Sequence, residues 1–298
     1  VKFAIGIDLG GTRIKGIAVD AEGNTLHKLY MPTNDSDGAV WKKAVAETVD
    51  ELLQKLDNND TVVGISAPGL PSDDCTSIVH MPGRMQGLEN FQWQKFLEKP
   101  TYVLNDAIAA LIAEAKFGAA KNKKHVVMLT LGTGVGGAIL IDGKPYMGAF
   151  NKAGHIGHMA INDGGDCDVT GMPGSLEECI GNCTIEKRSK GKFASTHDML
   201  NAYSRGDKFA KEVWLKSVRQ LAIGLASITN ILSPEMIVLG GGIAEAGDIL
   251  FKPLNDYMAE FEWRTGGNKV ELVKAVYSDL AGAVGAANFA LEKINNKL

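Results

Sequence analysis

Two glycine-rich turns, each set between apolar runs, constrain this chain more than anything else in it: Ile5-Gly-Ile-Asp-Leu-Gly-Gly-Thr12 near the start and Leu129-Thr-Leu-Gly-Thr-Gly-Val-Gly-Gly137 near the middle. Apolar runs enter them (Phe3 to Ile7, Val126 to Leu131) and leave them (Ile14 to Val19, Ala138 to Ile141). A turn signal follows in each case, Ala21-Glu-Gly-Asn24 or Asp142-Gly-Lys144, and leads into a third short strand. Both halves therefore read as three-stranded meanders opened by a hairpin. Glycines at such a turn let backbone N–H groups face outward without Cβ obstruction, and a concavity of N–H groups binds anions. The pair reads as a duplicated phosphate clamp, against the plainer alternative of two tight structural turns.

Gly132-Thr-Gly-Val-Gly-Gly137 also satisfies the G-x-G-x-x-G spacing of dinucleotide sites. That motif needs a helix directly after the glycines, so that its N-terminus meets the pyrophosphate. Here Ala138-Ile-Leu-Ile141 and then Asp-Gly follow, a strand and a turn, which argues against a nicotinamide site.

With 298 residues, 45% of them hydrophobic, the chain can build two cores of ordinary size. Its net charge of −4 and the absence of any basic block beyond Lys121-Asn-Lys-Lys124 argue against nucleic acid as a partner. No stretch approaches the ~20 apolar residues of a membrane span, and the sequence opens on a strand with no leader. A soluble cytoplasmic protein with no membrane partner is expected. Cys75, Cys167, Cys179 and Cys183 suggest no disulfide framework and read as reduced thiols.

After the first meander, Val40 to Leu56 has apolar residues at helical spacing, Val62 to Ser66 reads as a buried strand, and Tyr102 to Leu104 as another that ends at Asn105-Asp106. A helix is expected over Ala107 to Phe117, and an irregular lobe over residues 70–98, which include Met-Pro-Gly-Arg84. The second half repeats the plan around an insertion from Asn151 to about Ser204. A helix from Lys208 to about Leu232, a strand over Glu235–Leu239, a helix opened by Gly240–Gly242, a strand over Val270–Val276 and a closing helix over Asp279–Lys297 follow. This order gives two α/β domains with mixed sheets, residues 1–117 and 118–279, with the helix of about 280–298 crossing back to the first.

Two meander-first domains with Asp-x-Gly-Gly-Thr in the first turn and Gly-Thr-Gly in the second resemble the actin, Hsp70 and hexokinase superfamily of ATP-cleft proteins. Asp8-Leu-Gly-Gly-Thr-Arg-Ile-Lys-Gly16, Asn105-Asp106, Leu131-Gly-Thr-Gly-Val-Gly-Gly137, Gly154-His-Ile-Gly-His158, Gly174-Ser-Leu-Glu177 and Gly240-Gly-Gly-Ile243 occur in the order seen in ROK-family sugar kinases, over nearly the whole chain. The resemblance implies two ribonuclease H-like (actin-like ATPase) domains flanking a central cleft, ATP and Mg²⁺ as cofactors, and phosphorylation of a hexose, as in bacterial glucokinases. It implies Asp106 as the catalytic base, Asn105 as a sugar ligand, and His158 and Glu177 as ligands of sugar hydroxyls. A carboxylate at a strand end suits a general base, while its plainer use is to cap the helix from residue 107.

Asp8 is placed to hold Mg²⁺ through water. Gly10, Gly11, Thr12, Gly132, Thr133 and Gly134 are expected on the phosphate side, and Gly240, Gly241 and Gly242 beside the adenosine. Lys15 faces either phosphate or solvent. A homodimer is expected. Kinases for fructose, allose, mannose or an N-acetylhexosamine are alternatives, as is a sugar-sensing regulator, for whose DNA-binding domain the two residues before Phe3 are expected to leave no room. An actin-like filament subunit would leave the hexose-binding motifs unexplained.

The chain departs from the family pattern twice. Most members carry Cys-x-Cys-Gly-x-x-Gly-Cys, with a His of the Gly-His segment as fourth ligand of a structural zinc. Here the thiol positions read Asp168, Thr170 and Ser175, so no structural zinc is expected. Cys179 and Cys183, four apart, read as helical thiols rather than metal ligands. In addition, His155 stands where the family has a Glu that accepts hydrogen bonds from the sugar. An imidazole donates as well as accepts, so His155 is expected as a sugar ligand with an altered preference.

Overall fold

The computed structural model describes residues 1–295 apart from 57, 59, 82, 84 and 278. Pro82 and Arg84 of the expected lobe and the Lys297 end of the closing helix lie outside the described residues. The chain divides into two compact units, one built from Val1–Asn122, Lys144–Ala153 and the segment from Val276 on, the other from Lys123–Gly143 and Gly154–Ala275. Residues 118–122, 144–153 and 276–279 thus fall in the first unit, where the sequence had suggested the second.

The first unit carries β1 (Phe3–Leu9), β2 (Arg13–Asp20), β3 (Thr25–Pro32), α1 (Gly38–Leu56), β4 (Thr61–Ala67), β5 (Leu70–Pro71), β6 (Ile78–His80), α2 (Trp93–Leu97), β7 (Thr101–Asn105) and α3 (Asp106–Phe117). Its sheet runs β3-β2-β1-β4-β7. The meander strands pair antiparallel, whereas β4 and β7 join in parallel through crossovers.

In the second unit β8 (Val126–Leu131) and β9 (Val135–Ile141) form the hairpin; the third strand expected after it is the two-residue β10 (Lys144–Pro145), which falls in the first unit. The insertion holds three short helices, α4 (Leu176–Ile180), α5 (Ile185–Arg188) and α6 (Thr196–Ser204). There follow α7 (Lys208–Leu232), β11 (Met236–Gly240), α8 (Asp248–Phe261) and β12 (Glu271–Lys274), and then α9 (Ala281–Ile294), which belongs to the first unit. The strands β9-β8-β11-β12 lie side by side, antiparallel within the hairpin and parallel beyond it. Each unit thus has a mixed sheet opened by an antiparallel hairpin, the actin-like ATPase pattern. The strand expected over Val270–Val276 is shorter because pairing with β11 ends at Leu239 and Lys274.

Strand alternation distributes the core of the first unit. Ile5, Ile7 and Leu9 of β1 join Trp41, Val45, Val49 and Leu52 of α1 in one cluster. Ala4 of β1 and Val62 of β4 join Ala283, Val284, Ala287 and Leu291 of α9 in another. In the second unit, α7 is capped by Asp207, which accepts the Ala210 N–H at 2.9 Å. Its buried stripe of Trp214, Val218, Leu221 and Leu225 packs with Val127 and Leu129 of β8 and Leu254 of α8.

The centre of the first sheet offers α9 no side chain at two points. Gly6 and Gly64 are partners in the parallel β1–β4 pair, and a Cβ on them would overlap the carbonyl oxygens of Ala283 and Ala286, respectively. Backbone cannot yield as a flexible side chain does. Gly64→Ala is expected to destabilise the protein by about 1–3 kcal/mol through overpacking, although alanine ordinarily suits a strand better than glycine. A urea-unfolding midpoint that stays within error of the wild type would show that α9 is free to shift.

Candidate active site

Asp8, the next-to-last residue of β1, is held on both sides. Its Oδ1 accepts a hydrogen bond from Ser66 Oγ (2.9 Å) and its Oδ2 one from Lys15 Nζ (3.0 Å). Lys15 stands directly across the hairpin from Asp8 and also meets Asp279 Oδ1 at 3.3 Å. Lys15 therefore faces a carboxylate pair rather than open solvent. Burial pulls its ammonium pKa down, but Asp8 and Asp279 outweigh burial and hold it above the ordinary lysine value. Burial pushes Asp279 up, while Lys15, Tyr30 and Arg13 outweigh that and lower its pKa. The first turn of α9 closes over this site, because Gly282 comes so near that a Cβ there would lie 2.5 Å from Asp8 Oδ1. A helix N-terminus favours such a carboxylate.

The turn itself is fixed by backbone bonds. Gly10 N–H donates to Asp8 O (3.2 Å), while Gly11 O and Thr12 O accept from Asp35 N and Thr33 N, each at 3.0 Å. The Gly10 N–H closes the turn and does not face outward.

At the β7–α3 junction the cap is Asn105, not Asp106. Asn105 Oδ1 accepts the Ala107 N–H (3.0 Å) and its Nδ2 donates to Gly69 O (3.1 Å). Asp106 is the first residue of α3 and is exposed, with its Oδ1 accepting from Ala107 N at 2.8 Å. The two side chains share the Ala107 N–H, and the Asp106 carboxylate stands at the strand end. Asn105 retains one amide N–H for a ligand.

In the second unit the Gly132 N–H likewise closes its own turn, donating to Gly134 O (2.9 Å). The carbonyls of Gly132 and Thr133 accept from Asn182 N (3.0 Å) and Cys183 N (2.8 Å). Glu177 is buried, and its Oε2 accepts the Val135 N–H at 2.9 Å. Gly134 makes room for that carboxylate. Gly241, with φ of 84°, backs onto Leu131, so the Gly240–Gly242 run lies beside the second turn. It opens a short 3-10 turn, Gly242–Ala246, before α8 rather than the helix itself. Cys183 lies past the end of α4, in the turn Asn182–Thr184, so Cys179 and Cys183 do not share a helix.

His155 and His158 flank the turn Ile156–His158, their rings stacked 6.3 Å apart at 10°. His158 Nδ1 lies 2.8 Å from Asp168 Oδ2. Asp168 Oδ1 accepts from Thr170 N (2.8 Å), Thr170 Oγ1 (2.7 Å) and Met172 N (3.1 Å). Burial opposes ionisation of Asp168, but the bonds from His158, Thr170 and Met172 prevail and hold its carboxyl well below the usual range. Ser175 caps α4, accepting from Glu178 N at 3.3 Å. These donors do not fit a structural zinc: one carboxylate with both oxygens engaged and two hydroxyls occupied in turns replace three thiolates. Among the described residues no group of three or more His, Cys, Asp and Glu is arranged to hold a metal. No helix among them is long and apolar enough to cross a membrane.

Sequence reasoning missed Ser66, Asp279 and the partnership of Asp168 with His158. For Asp168 a signal existed: Asp-x-Thr-Gly is the composition of a turn closed by the Asp side chain.

Residues 4–293 match the ROK family. A glucokinase of Halalkalibacterium halodurans is 30% identical over 99% of this chain and 97% of its own length. The crystal structure of the ROK hexokinase from Thermus thermophilus superposes with a TM-score of 0.85 at 27% identity, covering 99% of both chains. A ROK family glucokinase from Streptomyces griseus, crystallised with glucose and AMPPNP, gives a TM-score of 0.79 at 25% identity over 97% of this chain and 99% of that one. Elemental analysis of the purified protein is expected to find no stoichiometric zinc, and one zinc per chain surviving dialysis against a chelator would contradict the reading of Asp168, Thr170 and Ser175.

Proposed function

The chain belongs to the ROK family, and on that premise we propose that it is an ATP-dependent hexose kinase of glucokinase type. The observation that carries this reading is the position of the Asp106 carboxylate, exposed at the end of β7 directly after Asn105. In the proposed reaction a sugar hydroxyl gives its proton to Asp106 while its oxygen bonds to the γ-phosphorus of ATP. The bond from that phosphorus to the bridging oxygen breaks, and ADP leaves with the electron pair.

Asn105, His155, His158 and Glu177 are assigned to the sugar. Gly10, Gly11, Thr12, Lys15, Gly132, Thr133, Gly134 and Gly240–Gly242 are assigned to the nucleotide, with Lys15 as its nearest fixed cation. Mg²⁺ would neutralise charge on the phosphate oxygens. Asp8 suits contact with it through water, because both carboxylate oxygens already have protein partners.

The second reading is a kinase for fructose, allose, mannose or an N-acetylhexosamine. It is favoured by His155, which supplies a donor where the family's Glu only accepts. ADP release measured across a panel of these sugars and glucose separates the two.

Asp106→Asn keeps the shape but cannot take the proton, so kcat should fall roughly 10² to 10⁴-fold while sugar binding persists. A near-normal kcat would remove Asp106 from the mechanism. His155→Glu should change the ratio of kcat/KM between glucose, mannose and their 2-acetamido derivatives roughly ten- to a hundredfold. Unchanged ratios would make His155 a bystander.

A further inference from the structure

The segment between the Ile156–His158 turn and α4 folds around one side chain. Asp168 has a side chain with 0% exposure, and it gathers every partner within reach: Thr170 N, Thr170 Oγ1 and Met172 N on Oδ1, His158 Nδ1 on Oδ2. The Asp168 and Met172 backbones are also paired, with Asp168 N donating to Met172 O at 2.9 Å. A carboxylate whose Oδ1 already receives three donors acts as an acceptor throughout. His158 Nδ1 therefore carries a proton, and in the neutral tautomer with that proton Nε2 is the acceptor. Among the described residues Nε2 has no hydrogen-bond partner, and the His158 side chain keeps 28% of its surface exposed.

We propose that Asp168 is a positioning residue for sugar binding: its carboxylate holds the His158 ring in one orientation and one tautomer, with Nε2 ready to accept from a sugar hydroxyl. In this chain the carboxylate organises the loop that thiolates and a metal organise where the zinc motif is complete. The loop needs no metal because Thr170 and Met172 bring their own donors to Oδ1. This proposal rests on the reading of His158 as a sugar ligand. It goes further in naming which atom of the ring is used and what fixes it.

Asp168→Asn separates the two parts of the role. The amide oxygen can keep the bonds from Thr170 and Met172, while its NH₂ group faces His158 Nδ1 and drives the ring proton to Nε2. Long-range ¹H–¹⁵N NMR of the full-length wild type is expected to find His158 protonated at Nδ1, and that of the variant at Nε2. With D-glucose as the probe, the variant's KM for sugar should rise roughly five- to a hundredfold, as for one mismatched hydrogen bond. The KM for ATP should change less than twofold, and kcat should fall by less than the sugar KM rises. A loss of fold would instead lower the active fraction, so apparent kcat would fall while both KM values stayed unchanged.

An Nε2–H tautomer in the wild type would overturn the proposal whatever the variant does. So would a variant that moves the proton yet keeps its sugar KM within twofold. A wild-type protein inert toward D-glucose would instead overturn the glucokinase reading, and the tautomer would still decide whether Asp168 fixes His158.

Discussion

Helix α9 lies against the first sheet at backbone distance because Gly6 and Gly64, paired in the parallel register, place no side chain beneath it. This close approach sets the position of the first candidate cluster. It brings Gly282, in the first turn of the helix, to the Asp8 carboxylate and the Ser66 hydroxyl. The partial positive charge of the helix N-terminus then stabilises a carboxylate that would otherwise bear the cost of burial with Lys15 as its main compensation. Asp279, just before α9, completes the array by meeting Arg13 and Lys15. The Arg13–Asp279 pair is half-exposed and is worth at most about 1 kcal/mol, so its significance is placement rather than stability.

Much of this was legible in the chain. The two meanders could be read because each is an apolar run, a glycine turn and a second apolar run, local patterns that depend on no distant contact. The helix over α1 followed from apolar spacing in the same way. What could not be read depends on partners far apart in sequence. Asp279 reaches Lys15 across nearly the whole chain, and Ser66 meets Asp8 only because β1 and β4 are neighbours. At the β7–α3 junction both Asn105 and Asp106 are good caps by residue type, and only the backbone shows that Asn105 has the extended conformation a cap requires. The insertion was hardest for a related reason: its helices are four to nine residues long, too short to carry a periodicity.

Asp168 shows a different limit. Compared with a thiol pattern, Asp168, Thr170 and Ser175 register only as missing ligands. Taken on their own chemistry, they are a turn-forming acid, a hydroxyl two residues on and a helix cap. The structure uses each in that second sense. The loop thus has an organising centre without a set of metal ligands, and the buried acid is fully satisfied, as burial of a charge demands.

The two turns, similar in backbone, differ in how they can meet a ligand. Around the first, Asp8, Lys15, Arg13 and Asp279 form an array of two cations and two anions within reach of one another. The arrival of a polyphosphate would set its charge against the carboxylates for the same ammonium and guanidinium groups. The second turn contains no charged residue between Gly132 and Gly137, and the acid nearest to it, Glu177, is held by the Val135 N–H and shielded from solvent. On the proposed reading, charge redistribution on nucleotide binding would be confined to the first turn, with the second contributing fixed dipoles and shape.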